Sequence, residues 1–451
     1  MKNMFNFLIF CSLTCLLAGC GEGDSGDSDG RPPFLLLNIS KDQVVGSTAG
    51  SFDLWVTSNT SWTVTTETSW IHPETEGDSG NKTVTIAYDG SEANSRSGVV
   101  KFSAEGVKTV ELKVTQQTGS TFSNPVFQMA DPWIVKYGNT YYTCKAQGNG
   151  INMSQSSKLS VINGTRTVWT PTAGAWNRSN IWAPELHYVD GRWYIYYAAG
   201  VQPEGSTSYR NQRTGVLRAR TEDPMGAWED MGMIYTGTNY TVGITPTLEN
   251  TIYAIDMGVF KLNGQLYAVW SGSDSQSSAG NDKLFIATMS NPWTINSNRV
   301  EISRAEYNWE RQGGNVNEGA AFLHNEAAGK FFIIYSASQS TTKYYTLGCL
   351  TLDTTKDPMV KGNWVKSSLP VFYRNDDVAA NGVNGVGHNC FTKSPDETED
   401  WIVYHVKSGN AGGWDGRYTF MQKFTWNADG TPNFGTPVGW GEKIPVPSGE
   451  Y

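Results

Sequence analysis

Residues 317–338 read NEGAAFLHNEAAGKFFIIYSAS: an acidic or polar residue, a short strand, a tight turn, then an aromatic-rich strand. The same order recurs four more times. Residues 130–146 read ADPWIVKYGNTYYTCKA, 183–200 APELHYVDGRWYIYYAAG, 254–273 AIDMGVFKLNGQLYAVWSGS and 387–409 GHNCFTKSPDETEDWIVYHVKSG. Turns at Gly138-Asn139, Asp190-Gly191 and Asn263-Gly264 suit hairpins, because Asn and Gly tolerate positive φ. Each unit therefore opens with a β-hairpin. The leading residues are Asp131, Glu185, Asp256, Glu318 and His388. They recur about 65 residues apart, room for a four-stranded sheet with long loops, and five such sheets around an axis make a five-bladed β-propeller. The first strand of each blade lines the channel, so equivalent positions converge at one end. A long β-sandwich leaves the five-fold repeat unexplained, and a β-helix has a much shorter repeat.

The chain opens MKNMFNFLIFCSLTCLLAGC, with an early Lys, an apolar run and then small residues. This is the layout of a secretory signal over 1–19, too short for a membrane span. Leu17-Ala18-Gly19-Cys20 resembles a bacterial lipobox, which implies lipidation at Cys20 and a lipid anchor to the outer membrane, at the cell surface or on the periplasmic side. Residues 20–33 follow as an acidic, Pro-terminated tether. Cys144, Cys349 and Cys390 are the three remaining cysteines; an odd number at wide spacing does not make a disulfide scaffold, and no CxxC occurs. A net charge of −9 argues against a nucleic-acid partner. With 17 Trp, 21 Tyr and 18 Phe the chain suits sugar stacking, although aromatics also favour strands. A monomer is expected.

Residues 34–118 alternate apolar and polar positions in FDLWVTS, SWTVTTET, KTVTIAY, SGVVKFS and TVELKVTQQ, the pattern of a small N-terminal β-sandwich. Ser61-Trp62, Trp70-Ile71, Ser79-Gly80, Asn94-Ser95-Arg96-Ser97-Gly98 and Val114-Thr115-Gln116-Gln117 resemble BACON domains, often found ahead of polysaccharide-degrading enzymes. Either a glycan-binding role or a spacer fits, and the spacer is favoured because Trp62 and Trp70 read as sandwich core. The fold class is thus all-β: a sandwich over 34–118, then a propeller over 122–451.

Glycoside cleavage with inversion needs one ionised carboxylate to activate water and one protonated carboxyl to serve the leaving oxygen. Their environments must separate their pKa values, and a third carboxylate can raise and orient the acid. Ala130-Asp131-Pro132, Trp182-Ala183-Pro184-Glu185-Leu186-His187, Ile255-Asp256 with Gly258-Val259-Phe260, Asn317-Glu318-Gly319, Gly387-His388-Asn389 and Arg417 before Tyr418-Thr419-Phe420 stand in this order. Taken singly, an Asp before Pro more often caps a turn, and an acid at a strand start is more often structural. Together the motifs resemble glycoside hydrolase family 43 over 122–451, with Met257 standing where many members have Pro.

The resemblance implies an inverting hydrolase with Asp131 as general base, Glu318 as general acid, and Asp256 as pKa modulator and orienter. The base and acid carboxyls are then expected about 6.5–9.5 Å apart. Glu185 reads as structural. The resemblance places His388 near the channel centre, holding a hydrated structural calcium largely through water; the other reading is a His bonded to waters or carboxylates. No cofactor is required for the chemistry. Arg417 is expected to bind a substrate hydroxyl and orient a carboxylate. Trp133 and Trp182 are candidates for the sugar-stacking wall, with inter-blade packing as the alternative. The loops 201–215 and 374–386 are expected to shape the pocket.

The stretches 181–200 and 317–338 resemble exo-acting α-L-arabinofuranosidases, implying removal of terminal arabinofuranose from arabinan or arabinose-decorated plant cell-wall polysaccharide. A β-xylosidase or endo-arabinanase of the same family is the alternative. A non-catalytic carbohydrate-binding propeller is a third reading, which the retention of all three carboxylates disfavours.

Overall fold

The structure, a computed structural model, describes residues 32–450 apart from 39–42, 47–48, 92–94, 117–120, 207, 276–281, 375–382 and 409–412. Cys20, the signal and most of the tether lie outside the described residues. Among the described residues no helix is long and apolar enough to cross a membrane. The chain forms two compact units, the first built mainly from Ala49–Gly90 and Ser97–Thr115, the second mainly from Gln116–Tyr451.

The first unit holds a four-stranded sheet (Leu35–Leu37, Gly50–Ser58, Lys82–Tyr88, Ile71–Pro73) and a five-stranded one (Gln43–Val45, Val110–Gln116, Arg96–Ala104, Ser61–Thr66, Gly77–Ser79). Alternate residues such as Leu54, Val56, Val84 and Ile86 are buried, as period-two patterning requires. Trp62 and Trp70 are only 2% and 7% exposed. They are core residues, so neither offers a ring face to a glycan.

The second unit contains five successive antiparallel sheets, whose strands pair in chain order. Their inner strands are Trp133–Tyr137, Trp182–Val189, Ala254–Leu262, Asn317–Asn325 and Asn384–Lys393. Each inner strand lies against the next, and the fifth against the first, so the sheets close into a ring. Apolar side chains pack between neighbouring sheets: Tyr196 and Trp270 join the second and third, Val269 and Ile333 the third and fourth, Ile334 and Tyr404 the fourth and fifth. Sheet one packs on both of its neighbours through Cys144, Ile195 and Val403. A sheet covered on both faces carries apolar runs rather than alternation. The second strands show this, as in Arg192–Ala199 (RWYIYYAA) and Lys330–Ala337 (KFFIIYSA), where nearly every residue is buried. The hairpin residues Asp190 and Gly191, and Asn263 and Gly264, all have positive φ, the type I′ geometry.

The repeat has a sharper form than the sequence suggested. In sheets two to five the inner strand carries an extra residue near its start, where the pairing slips at Trp182/Glu185, Ile255/Gly258, Glu318/Ala321 and Gly387/Cys390, and the fifth strand slips a second time at Asn384/Gly387. At each bulge one residue takes positive φ: Ala183, Asp256, Gly319 and His388; Asp131 does so ahead of the first strand. These five positions are the true equivalents. Glu318 stands one residue before its bulge residue and Glu185 two residues after. The five leading residues therefore do not share one repeat position, because an acidic side chain in sequence does not reveal where the bulge falls.

Candidate active site

A bulge turns the strand and re-aims its side chains, and the five positive-φ positions share one end of the ring. There a pocket of about 820 Å³ is lined by Asp131, Asp256, Glu318, His388, Arg417 and Trp182, among others. Six of the sequence candidates thus converge although they span most of the second unit.

Asp131 is held by three cationic or ring partners. Arg417 Nη1 donates to its Oδ1 at 2.8 Å. The Nδ1 atoms of His388 and His405 lie 3.2 and 3.3 Å from the same oxygen. The backbone N–H of Asp131 also points at His405 Nδ1, 3.2 Å away, which fixes the left-handed turn. Burial alone would raise this carboxyl. The Arg417 guanidinium, with His388 and His405, outweighs it and holds Asp131 well below the usual carboxylate range. Burial pushes the fully enclosed His405 down to about 4.

Glu318 is the opposite case. Burial, then the charge of Asp282, pushes its carboxyl up to about 8, against a restraining bond from Tyr345 Oη to Oε1 at 2.7 Å. Asp256 is 4% exposed and touches this segment through the main chain, its Oδ2 accepting the Gly319 N–H at 3.2 Å. Burial, then the charges of Glu318 and Asp131, raise Asp256 as well. Both carboxyls are thus held toward their protonated forms, opposite to Asp131. Tyr345 stacks on His405, ring centroids 5.4 Å apart at 11°, so the partners of Glu318 and Asp131 brace one another. The pocket thus pairs an ionised carboxylate with a protonated one, the arrangement general acid–base chemistry requires.

Trp182 lines the pocket and meets Tyr209 edge-on at 4.7 Å. Trp133 does not line it. The ring is 8% exposed, packs between sheets one and two, and donates from Nε1 to the Leu186 carbonyl at 2.8 Å. Two residues past Asp131 its side chain faces the neighbouring sheet, so its candidacy as a sugar-stacking residue is corrected. Glu185 is 2% exposed, contacts His187 Nε2 at 2.9 Å, and packs where a Cβ on Gly258 would stand 2.8 Å from its Oε2. It does not line the pocket. Of the expected pocket loops, Ser208 and Tyr209 line the pocket, while 375–382 lie outside the described residues.

Calcium takes about six to eight oxygen ligands. Among the described residues no three His, Cys, Asp or Glu side chains converge as a ligand set, and His388 Nδ1 faces Asp131. Side chains of the described residues do not by themselves fill a calcium shell, so an ion beside His388 would be held largely through water.

His405, Tyr345, Asp282, Tyr209, Trp414 and Lys145 escaped sequence reading. His405 left a trace, a lone imidazole in the apolar strand DWIVYHVK. The others sit in loops or ordinary strands where nothing marks them.

The profile of glycosyl hydrolases family 43 matches residues 122–432. The chain is 36% identical over 330 residues, 70% of its length, to an extracellular exo-α-(1→5)-L-arabinofuranosidase of Streptomyces avermitilis. It is 36% identical over 324 residues, 69% of its length, to α-L-arabinofuranosidase 43 of Humicola insolens. The chain spans 64% and 63% of those two relatives. The crystal structure of an α-L-arabinofuranosidase from Lactobacillus brevis superposes with a TM-score of 0.63 at 35% identity, covering 71% of this chain and 98% of that one.

Proposed function

The chain belongs to glycosyl hydrolases family 43, and from that premise we propose that it removes terminal α-L-arabinofuranosyl residues with inversion. The observation that carries this reading is the split in proton affinity inside one pocket: Asp131 held ionised by Arg417, Glu318 lifted to about 8. Asp131 is the base that takes a proton from the attacking water. Glu318 is the acid that protonates the leaving oxygen. Asp256 orients Glu318 through the Gly319 amide. Arg417 holds Asp131, and Trp182 with Tyr209 forms a sugar-facing wall. Arabinofuranose is the sugar because relatives at 36% identity carry that activity in their names.

The ring of five sheets is read as a five-bladed β-propeller over 122–451. The N-terminal sheets are read as a BACON-type sandwich over 34–118 that acts as a spacer. The protein is read as a secreted lipoprotein anchored at Cys20 and acting, as a monomer, on plant cell-wall polysaccharide. Relatives described as extracellular support secretion.

The test is turnover of 4-nitrophenyl α-L-arabinofuranoside, 4-nitrophenyl β-D-xyloside and arabinan, with product anomers followed by NMR. Hydrolysis of the arabinofuranoside with β-L-arabinofuranose as first product is expected. An α first product overturns the mechanism, and preference for the xyloside overturns the sugar.

A further inference from the structure

Glu318 is a long side chain with one side-chain hydrogen bond, from Tyr345, so its place depends on the main chain that carries it. The residue before it, Asn317, is fully buried and bonded on every side. Its N–H donates to the Asp282 carbonyl at 2.9 Å, and its carbonyl accepts from Ser271 Oγ at 2.9 Å. Its Oδ1 accepts from Ser303 Oγ at 2.7 Å, and its Nδ2 donates to Glu310 Oε1 at 3.0 Å. Ser271, Asp282 and Ser303 belong to the third sheet and its loops, and Glu310 to the short turn Asn308–Glu310 before the fourth. Asn317 therefore pins one sheet to the other a single residue from Glu318.

Glu310 is the anchor of this pin. It is fully buried and lies outside the pocket lining. Its Oε1 also accepts from Tyr335 Oη at 3.0 Å and Lys366 Nζ at 2.7 Å, and its Oε2 from the N–H groups of Glu306 and Tyr307 at 2.7 and 2.9 Å. A buried carboxylate with this many donors is fixed in place, because each donor lost would leave a charge partly unsolvated. Beyond Glu318, the Gly319 amide is held by Asp256. The main chain on both sides of Glu318 is thus immobilised by carboxylates.

We propose that Asn317 and Glu310 are positioning residues for Glu318, holding its carboxyl where the leaving oxygen will stand. This rests on Glu318 being the general acid. A misplacement of about 1 Å at a reacting group can cost on the order of 10²-fold in rate. The loss from a misplaced acid falls on substrates that need protonation and spares those that do not.

The test compares Asn317→Ala, Ser303→Ala and Glu318→Gln on methyl and 2,4-dinitrophenyl α-L-arabinofuranosides. Asn317→Ala is expected to lose at least about tenfold more kcat on the methyl glycoside than on the dinitrophenyl one, with KM little changed. Ser303→Ala, which keeps the Asn317–Glu310 bond, is expected to lose less in the same ratio, and it decides the matter should Asn317→Ala not fold. Equal losses on both substrates, or a lower Tm with kcat intact, overturn the proposal. If Glu318→Gln itself shows no leaving-group dependence, the acid assignment fails and this inference with it. If Glu318→Gln discriminates and the Asn317 and Ser303 variants do not, only the inference fails.

Discussion

Asp131 and Glu318 line one pocket and hold protons with opposite strength. The reason is local: Asp131 has a guanidinium at 2.8 Å, whereas Glu318 has burial and the nearby charge of Asp282. The proposed mechanism needs Asp131 ionised and Glu318 protonated. kcat/KM should therefore stay flat from below the usual carboxylate range up to neutrality, then fall as pH rises through about 8. Because Glu318 titrates with Asp256, that alkaline limb belongs to the pair. Arg417→Gln should raise the acid limb of the profile by about one to two pH units; an unmoved acid limb would show that Arg417 does not hold Asp131 down. Asp131→Asn should cost about 10³-fold or more in kcat, measured on an aryl arabinofuranoside, and lower Tm at neutral pH because Arg417 loses its buried counter-charge. Stability follows the same linkage. Glu318 has a raised folded-state pKa, so its contribution is fully present below its unfolded pKa and is lost as pH rises through about 8. Glu318→Gln should consequently raise Tm at pH 9 relative to wild type, and much less at pH 5.

At the scale of the strand, the bulge is the device that makes a site. An extra residue near the start of the inner strands of sheets two to five turns the chain, and the residue there adopts positive φ. Asp and His tolerate that conformation better than most residues, and glycine tolerates it freely. At Gly319 a Cβ would also lie 3.3 Å from the His388 ring and from Ser336 Oγ. Gly319→Ala should destabilise by about 1–2 kcal/mol and lower kcat, since the amide that meets Asp256 would shift. Ala183, at φ 39, already carries such strain, so Ala183→Gly should leave stability unchanged or raise it. Urea unfolding of the two variants checks the opposite signs. The hairpins, the apolar second strands and the I′ turns were legible because each is a local pattern. The bulge phase was not, because no residue type is common to Asp131, Ala183, Asp256, Gly319 and His388.

At the scale of the second unit, a ring must be closed. The segment Thr121–Ser123 pairs with Lys443–Pro445, Asn124 exchanges side-chain bonds with the Met421 main chain, and Phe127 bridges to Thr419. The start of the second unit is thereby stitched to the fifth sheet, the one that carries His388, His405 and Arg417. A chain beginning at residue 116 should keep the full-length kcat on aryl arabinofuranosides. One beginning at residue 129 should lose Tm and activity together, because Arg417 and Asp131 come from the two ends being joined. If the longer truncation kept full activity, closure by this segment would be unnecessary.

Sequence by itself determined an all-β chain and a five-fold hairpin repeat, and its resemblance to a known family pointed to the carboxylates, Arg417 and Trp182. The repeat follows from residue type and spacing, which are local. Tertiary structure alone decided that Trp133 packs between sheets, that Glu318 and Asp131 stand at different points of the repeat, and that His405 and Tyr345 brace the pair. It alone brought Asp282 against Glu318 and clamped Asn317 between two sheets. Side-chain direction depends on where a bulge falls, and proton affinity on charges brought together from distant strands. Neither can be read from neighbours along the chain.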